Sequence, residues 1–202
     1  MPDSGSFLSL LKQDTYLMSR RTNVIAAALS VLALGSPLIT ANARPNSLAR
    51  KLYSSGQAKQ KQGNYKGAIA DFTKVLEINP QDAKAYNERG IAKNGSKDYL
   101  GAIADFTKAI EINPRDAYIY FDNRAGVKVE IGDYRGVVFD TTRTIEINPN
   151  YTNAYERRGI AKQYLGDDRG ACADYKKAVS LGDESAAQWL KSEGGTWCRD
   201  LR

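Results

Sequence analysis

The side chains that most often perform catalysis are scarce in this chain. It contains no histidine, the commonest general base and imidazole metal ligand, and its two cysteines are too few and too far apart for a zinc site. No nucleophile elbow, P-loop or dinucleotide-binding glycine motif occurs. The paired carboxylates Asp167–Asp168 and Asp183–Glu184 lie at predicted helix boundaries, where they ordinarily cap backbone N–H groups. We therefore expect a non-enzymatic protein with no catalytic residue, no cofactor and no metal.

One pattern of charges recurs along the chain. An aspartate and an arginine each return at a regular spacing, at Asp71, Asp105, Asp140 and Asp174 and at Arg89, Arg124 and Arg158. The first copy has Ser55 at the arginine position. We predict ion pairs that join each aspartate to the arginine of the next copy: Asp71–Arg89, Asp105–Arg124 and Asp140–Arg158. The alternative is independent solvated charges, because exposed pairs contribute less than about 1 kcal/mol.

Composition favours an ordinary folded protein. The 202 residues are 42% hydrophobic and 26% charged, which is typical of a globular fold rather than of disorder. The formal net charge is +6, but basic and acidic residues alternate and form no dense basic patch. Binding of a polyanion or a nucleic acid is therefore disfavoured and stays only as an alternative function.

These side chains must be positioned by a repeated element. Four copies of one segment follow one another, and the first three end in Asn-Pro at Pro80, Pro114 and Pro149, which are 34 and 35 positions apart. A period of this length indicates an array of helical repeats. The second copy predicts one helix over Ala83–Gly95 and another over Tyr99–Ile112. Asp82, Asp116 and Asn150 precede the first helices of their units, where a short side-chain oxygen can cap them.

The copies resemble tetratricopeptide repeats (TPRs), and their amino-acid sequences are similar to those of bacterial members. The family alternates large, small, turn and aromatic positions along two helices, A and B. The large positions are Leu52, Tyr86, Phe121 and Tyr155, followed by small ones at Gly56, Gly90, Ala125 and Gly159. Turn tyrosines at Tyr65, Tyr99 and Tyr134 precede small B-helix residues at Ala68, Ala102 and Ala171. The B-helix aromatics are Phe72, Phe106, Phe139 and Tyr175, which we expect to be buried between units.

The resemblance implies an all-α, right-handed α-solenoid of about four helix-turn-helix units and a C-terminal capping helix. The predicted units cover about residues 49–82, 83–117, 118–151 and 152–185, with the capping helix at 183–193 and a tail at 194–202. The domain as a whole covers residues 44–193.

The same resemblance implies a concave groove, lined by the A helices, that binds a peptide or a segment of a partner protein. The side chains expected in it are Gln57, Gln60, Lys84, Asn87, Glu88, Asn94, Asp122, Asn123, Asn153, Glu156, Arg157 and Gln163. Some relatives hold a C-terminal carboxylate with a Lys/Asn/Arg clamp. The corresponding positions here are Tyr53, Gln57, Glu88, Ile119 and Asn123, so that clamp is absent and cytosolic chaperone tails are not expected as partners.

The N-terminal residues read as a targeting signal. A basic run at Met18–Arg21 precedes an apolar stretch at Val24–Leu34, and Ala41-Asn42-Ala43 follows as a cleavage site. We predict cleavage between Ala43 and Arg44 and export to the periplasm or the medium. Residues 1–43 are then an extension plus a signal peptide, and Met18 is a candidate true start. The alternative is an uncleaved anchor, although the apolar run is shorter than the usual span of about 20 residues.

The C-terminal residues predict a helix that would bring the two cysteines of the chain together. An antiparallel helix over Asp183–Lys191 would return the chain toward Cys172, within reach of Cys198. In an oxidising compartment the two cysteines would form a disulfide. The alternative is two free thiols, with Cys172 buried.

Overall fold

A computed structural model describes residues 38–192 and 195–200, with side chains over 46–192 and 195–198. The chain divides into two compact parts, residues 1–45 and residues 46–202. The four repeat units lie in the second part. The predicted extension and the basic and apolar parts of the predicted signal lie outside the described residues. Among the helices described, none combines the length and the hydropathy that a membrane span requires.

The described residues form helices and no strands. The A helices of the four units are α1 (Leu38–Lys61), α3 (Ala83–Gly95), α5 (Tyr118–Glu130) and α7 (Thr152–Tyr164). Their B helices are α2 (Tyr65–Ile78), α4 (Tyr99–Ile112), α6 (Tyr134–Ile147) and α8 (Asp168–Ser180). Each helix from α2 to α9 packs against the next, which builds an all-α solenoid. The helix α9 (Glu184–Lys191) covers its end, and a short helix that the sequence did not predict, α10 (Thr196–Asp200), follows.

The ends of the helices follow capping chemistry, with two exceptions. Asp82 accepts a hydrogen bond from the Ala85 N–H at 3.0 Å, as predicted. Asp116 and Asn150 do not cap: α5 begins after Ala117 and α7 after Tyr151, neither of which forms a side-chain cap. Before α5 the connection is one residue longer than in the first unit, so the aspartate moves out of capping position.

Buried aromatic rings pack on glycines. Phe72, Phe106 and Tyr175 are at most 5% exposed, and the Cβ of an alanine at Gly56, Gly90 or Gly159 would lie 2.8–3.0 Å from the facing ring. Rings and helix backbones therefore touch within each of these units.

The prediction that Phe139 is the buried aromatic residue of the third unit was wrong. Phe139 is 59% exposed, and the fully buried Thr141 takes the place of the aromatic residue. The position directly after the repeated aspartate faces the A helix, and Phe139 instead precedes Asp140. Ala125, fully buried in place of the usual glycine, fits beside this smaller side chain.

The predicted ion pairs Asp71–Arg89, Asp105–Arg124 and Asp140–Arg158 were also wrong. Each arginine pairs with the aspartate of its own unit, and the three pairs are Arg89–Asp105 at 2.7 Å, Arg124–Asp140 at 2.6 Å and Arg158–Asp174 at 2.7 Å. The contact between the small A-helix residue and the B-helix side chain that faces it explains why each arginine pairs within its own unit. The arginine directly precedes the small residue and the aspartate directly precedes the ring, so that contact brings the two charges of one unit together.

The arginines still reach the preceding unit, but through a hydroxyl group. Arg89 Nη1 donates to Thr73 Oγ1 at 3.2 Å, Arg124 Nη1 to Thr107 Oγ1 at 2.8 Å, and Arg158 Nη1 to Thr142 Oγ1 at 3.1 Å. In the first unit, Ser55 and Lys59 bond Asp71 instead. Each arginine therefore links both helices of its unit to the unit before it, which accounts for its absence from the first.

A disulfide between Cys172 and Cys198 ties α10 to α8, with 5.3 Å between the two Cα atoms. Both cysteines are buried. Trp189 of α9 packs on Tyr175, with their ring centroids 4.4 Å apart, and Trp197 meets Trp189 edge to face at 5.8 Å. The end of the array is thus closed by a covalent bond and a set of aromatic contacts.

Candidate functional site

The twelve side chains expected in the groove all lie on A helices, but they differ in accessibility. The exposed ones are Gln57, Lys84, Asn153 and Gln163. Gln60, Glu88, Asn94, Asn123, Glu156 and Arg157 are half-buried. Asn87 and Asp122 are buried, at 8% and 5% exposure, and offer little surface to a ligand.

Several of these polar side chains bond one another between successive A helices. Asn123 Nδ2 donates to Asn87 Oδ1 at 2.8 Å. Asp122 accepts from Arg157 Nε at 3.2 Å and from the Tyr151 hydroxyl at 3.3 Å. These bonds join α3 to α5 and α5 to α7, so part of the predicted groove set has a structural role.

Glu88 lies among polar groups of the first unit. Burial raises its pKa, and hydrogen bonding from Gln57 and Tyr53 acts in the opposite direction. Burial also raises the pKa of Tyr53, with the charge of Glu88 as a further cause. Three of the five positions that correspond to the clamp of relatives are therefore engaged with one another.

A cavity of about 590 Å³ lies at the end of the array. Its walls come from α7, α8 and α9, and the lining residues are Glu156, Ile160, Gln163, Tyr164, Tyr175, Ser185, Ala186 and Trp189. This volume is in the range of ligand pockets, about 300–1,000 Å³. A second cavity, of about 330 Å³, lies between α1 and the end of α2 and is lined by Asn46, Ala49, Arg50, Tyr53, Val75, Asn79 and Asp82.

Two ionisable groups in the larger cavity are perturbed. Burial raises the pKa of Tyr175 to about 12, and its hydroxyl donates to Gln163 Oε1 at 3.3 Å. The pKa of Glu156 is raised first by burial and then by the charge of Asp183, against a smaller opposing effect of Arg157.

Sequence reasoning found only part of this cavity. Glu156 and Gln163 were in the predicted groove set, but Tyr164 and Trp189 were not. The signal for Trp189 was present, since a tryptophan on a capping helix must pack on the last unit. Within the described residues, no group of histidine, cysteine and acidic side chains is arranged to hold a metal ion.

Two protein-family models match segments of the repeats. A family model described as "TPR repeat" matches residues 56–95, and one described as "Tetratricopeptide repeat" matches residues 83–116. No curated protein matches the sequence.

Solved structures share the fold. MamA from Desulfovibrio magneticus RS-1 (residue 41 to the end) superposes with a TM-score of 0.65 and 17% identity, over 75% of this chain and 89% of that one. Another crystal structure of MamA gives a TM-score of 0.64 and 23% identity, over 69% and 81%. The first TPR of Spaghetti (RPAP3), bound to HSP90 peptide SRMEEVD, gives 0.56 and 23%, over 59% of this chain and 97% of that one.

Proposed function

The chain is a tetratricopeptide repeat protein, and we propose that it is a non-catalytic interaction module that binds a peptide or partner segment along its A helices. One observation carries this proposal. The aspartate that recurs in every unit is buried, as are the small A-helix residues and the side chains that face them, whereas A-helix residues that differ between units, such as Gln57, Lys84 and Asn153, are exposed. A surface that varies while its scaffold repeats is suited to recognising one particular partner.

The neighbour Spaghetti (RPAP3) was solved with a bound peptide, which supports peptide binding by this fold. We propose a different ligand chemistry for this chain. Its clamp positions carry Tyr53, Gln57 and Glu88, and a carboxylate at the third of these would repel an acidic peptide terminus.

The polyanion alternative has less support. Four buried aspartates hold seven A-helix cations in ion pairs: Lys59, Arg89, Lys93, Arg124, Lys128, Arg158 and Lys162. Cations already paired with carboxylates are poor ligands for phosphate groups. These seven paired cations therefore do not form a free basic surface for a polyanion.

We further propose that the protein acts outside the cytoplasm. The Cys172–Cys198 disulfide supports this, because such bonds persist in oxidising compartments. Fractionation of the producing cells, followed by N-terminal sequencing, should recover a chain that begins at Arg44 outside the cytoplasm. Full-length protein retained in the cytoplasm would refute the proposal.

The binding proposal is tested by retention of partners from the same compartment. Wild-type protein, an A-helix variant (Lys84→Ala/Asn153→Ala) and a B-helix control (Lys66→Ala/Lys108→Ala) are immobilised in equal amounts. All four substituted residues are exposed, so the variants should fold alike. Quantitative mass spectrometry should find proteins retained by the wild type and the control and lost from the A-helix variant. Equal retention by all three would contradict binding along the A helices.

A further inference from the structure

We propose that the cavity between α7, α8 and α9 is a subsite for a basic side chain, arginine or lysine, of the bound partner. This inference rests on the proposed interaction function, and it specifies part of the ligand. The cavity combines aromatic walls with a carboxylate that forms no ion pair with any side chain that the structure describes.

The aromatic walls come from three helices. Tyr164 lies at the end of α7, Tyr175 on α8 and Trp189 on α9, and all three line the cavity. Tyr175 and Trp189 are 4.4 Å apart with their planes inclined at 42°, so they form a corner rather than a closed stack. Trp197 packs edge to face on Trp189. Cations bind favourably over the faces of such rings, and most favourably over tryptophan.

The acidic group is Glu156. Among the described residues, no basic side chain lies within 4.0 Å of its carboxylate, because the neighbouring Arg157 is directed to Asp122 of the preceding unit. None of the described residues that line the cavity is a lysine or an arginine. Asp183 adds negative potential, which together with burial raises the pKa of Glu156. A cation entering the cavity would supply the missing counter-charge to a partly desolvated carboxylate.

The residues equivalent to Glu156 in the second and third units provide an internal contrast. Asn87 and Asp122 occupy the same helix position as Glu156, three residues before the small residue of their units. Asn87 accepts a hydrogen bond from Asn123 and Asp122 accepts one from Arg157, each from the next A helix, whereas no hydrogen bond to Glu156 is found among the described residues. The fourth unit has α9 as its next neighbour, and that capping helix supplies Trp189 where another repeat would supply polar side chains. An open acidic and aromatic pocket is thus specific to the end of the array.

The location suits a side chain of a partner bound along the A helices. Glu156 and Gln163 belong to the predicted groove set and also line the cavity. Asn153 lies one turn before Glu156 on the same helix and is exposed. A segment that lies along α7 would therefore pass the mouth of the cavity.

The test uses two pairs of blocked tripeptides, Gly-Arg-Gly with Gly-citrulline-Gly and Gly-Lys-Gly with Gly-norleucine-Gly. Each pair differs by the charge at one side chain. Binding is followed by the indole N–H resonance of Trp189 in full-length protein that carries Trp197→Phe. We expect at least one charged peptide to bind about tenfold more tightly than its neutral partner. The pair that shows this preference identifies the side chain.

The variants distinguish this pocket from general attraction to an acidic surface. Glu156→Gln keeps the size of the side chain and should abolish the preference for charge, whereas Glu88→Gln, the same substitution on an A helix that does not line the cavity, should retain it. Equal binding within both pairs, no shift of the indole resonance, or a preference that survives Glu156→Gln would each overturn the proposal. If partner retention is normal but no preference for charge is seen, only the subsite is refuted. If the preference is seen but partners are not retained, the interaction function is refuted instead.

Discussion

Gly90, the small A-helix residue of the second unit, should tolerate no side chain. In Gly90→Ala, the new Cβ would lie 2.8 Å from Cε1 of Phe106, closer than real Cβ contacts come. Phe106 is only 1% exposed, so its ring has no space into which to move. Overpacking of this kind costs about 1–3 kcal/mol. The gain in helix propensity from glycine to alanine, about 1 kcal/mol, offsets part of that cost.

Gly126→Ala provides the matched control. Gly126 is also inside an A helix, but its Cβ would meet only the end of the flexible Arg157 side chain, at 3.3 Å. This variant should keep most of the propensity gain of about 1 kcal/mol. In urea unfolding followed by circular dichroism, Gly90→Ala should therefore unfold with a free energy about 1–3 kcal/mol below that of Gly126→Ala.

Truncation of the ring should relieve the clash. Gly90→Ala/Phe106→Leu should lose less stability than the sum of the two single variants, because the pair is in direct contact. Equal stabilities of Gly90→Ala and Gly126→Ala, or strict additivity in the double variant, would refute the account of unit packing.

Four other changes test separate parts of the structure. Asp140→Asn should lower the free energy of unfolding by about 3–5 kcal/mol in urea, because it leaves the partly buried cations of Arg124 and Lys128 without a counter-charge.

 Lys97 adopts a left-handed φ of 66° where the other three units have glycine, so Lys97→Gly should raise the thermal midpoint through a gain of about 0.5–1 kcal/mol. Cys198→Ser removes the disulfide and should cost about 3 kcal/mol at the C-terminal end, seen as faster hydrogen exchange in α8 and α9; unchanged exchange would argue against the constraint. The raised pKa of Tyr175 means that its contribution to stability is full below pH 10.0 and is lost as the pH rises toward about 12, a loss that Tyr175→Phe should abolish in an alkaline unfolding series.

Sequence predicted the helices well because their limits are set locally. Asn-Pro ends the B helices, and an aspartate caps the A helix of the second unit, so the bounds of α3 and α4 could be read directly. One of the two exceptions has a local cause as well. One extra residue before α5 removes the cap that Asp116 would have provided.

Periodicity alone could not assign the ion pairs. Every unit carries the same aspartate and every unit after the first carries the same arginine, so each arginine has a candidate aspartate both in its own unit and in the preceding one. The packing of Phe106 on Gly90 determines which aspartate the arginine pairs with, because it brings Arg89 beside Asp105. A three-dimensional contact was needed to make that choice.

Residue type misled the assignment of the third unit. Phe139 is the only aromatic residue in the central part of its helix, but its position faces outward, and Thr141 fills the interior position. Alignment on the invariant aspartate, here Asp140, would have given the correct register.

The pocket at the end of the array lay beyond the reach of the repeat pattern. Asn87, Asp122 and Glu156 share one position of the repeat, and their surroundings differ because the capping helix replaces a following repeat after Glu156. Residues outside the repeats, such as Trp189, therefore determine what the last A helix presents to a partner.

The central claim is that partners bind along the A helices, and site-specific photo-crosslinking tests it most directly. A photoreactive amino acid is placed at Asn153, exposed on α7, or at Lys108, exposed on α4, and the protein is irradiated in the compartment where it acts. We predict a discrete crosslinked partner from position 153 that an excess of unlabelled protein suppresses, and none from position 108. Crosslinking of the same partner from both positions, or from position 108 alone, would contradict the claim.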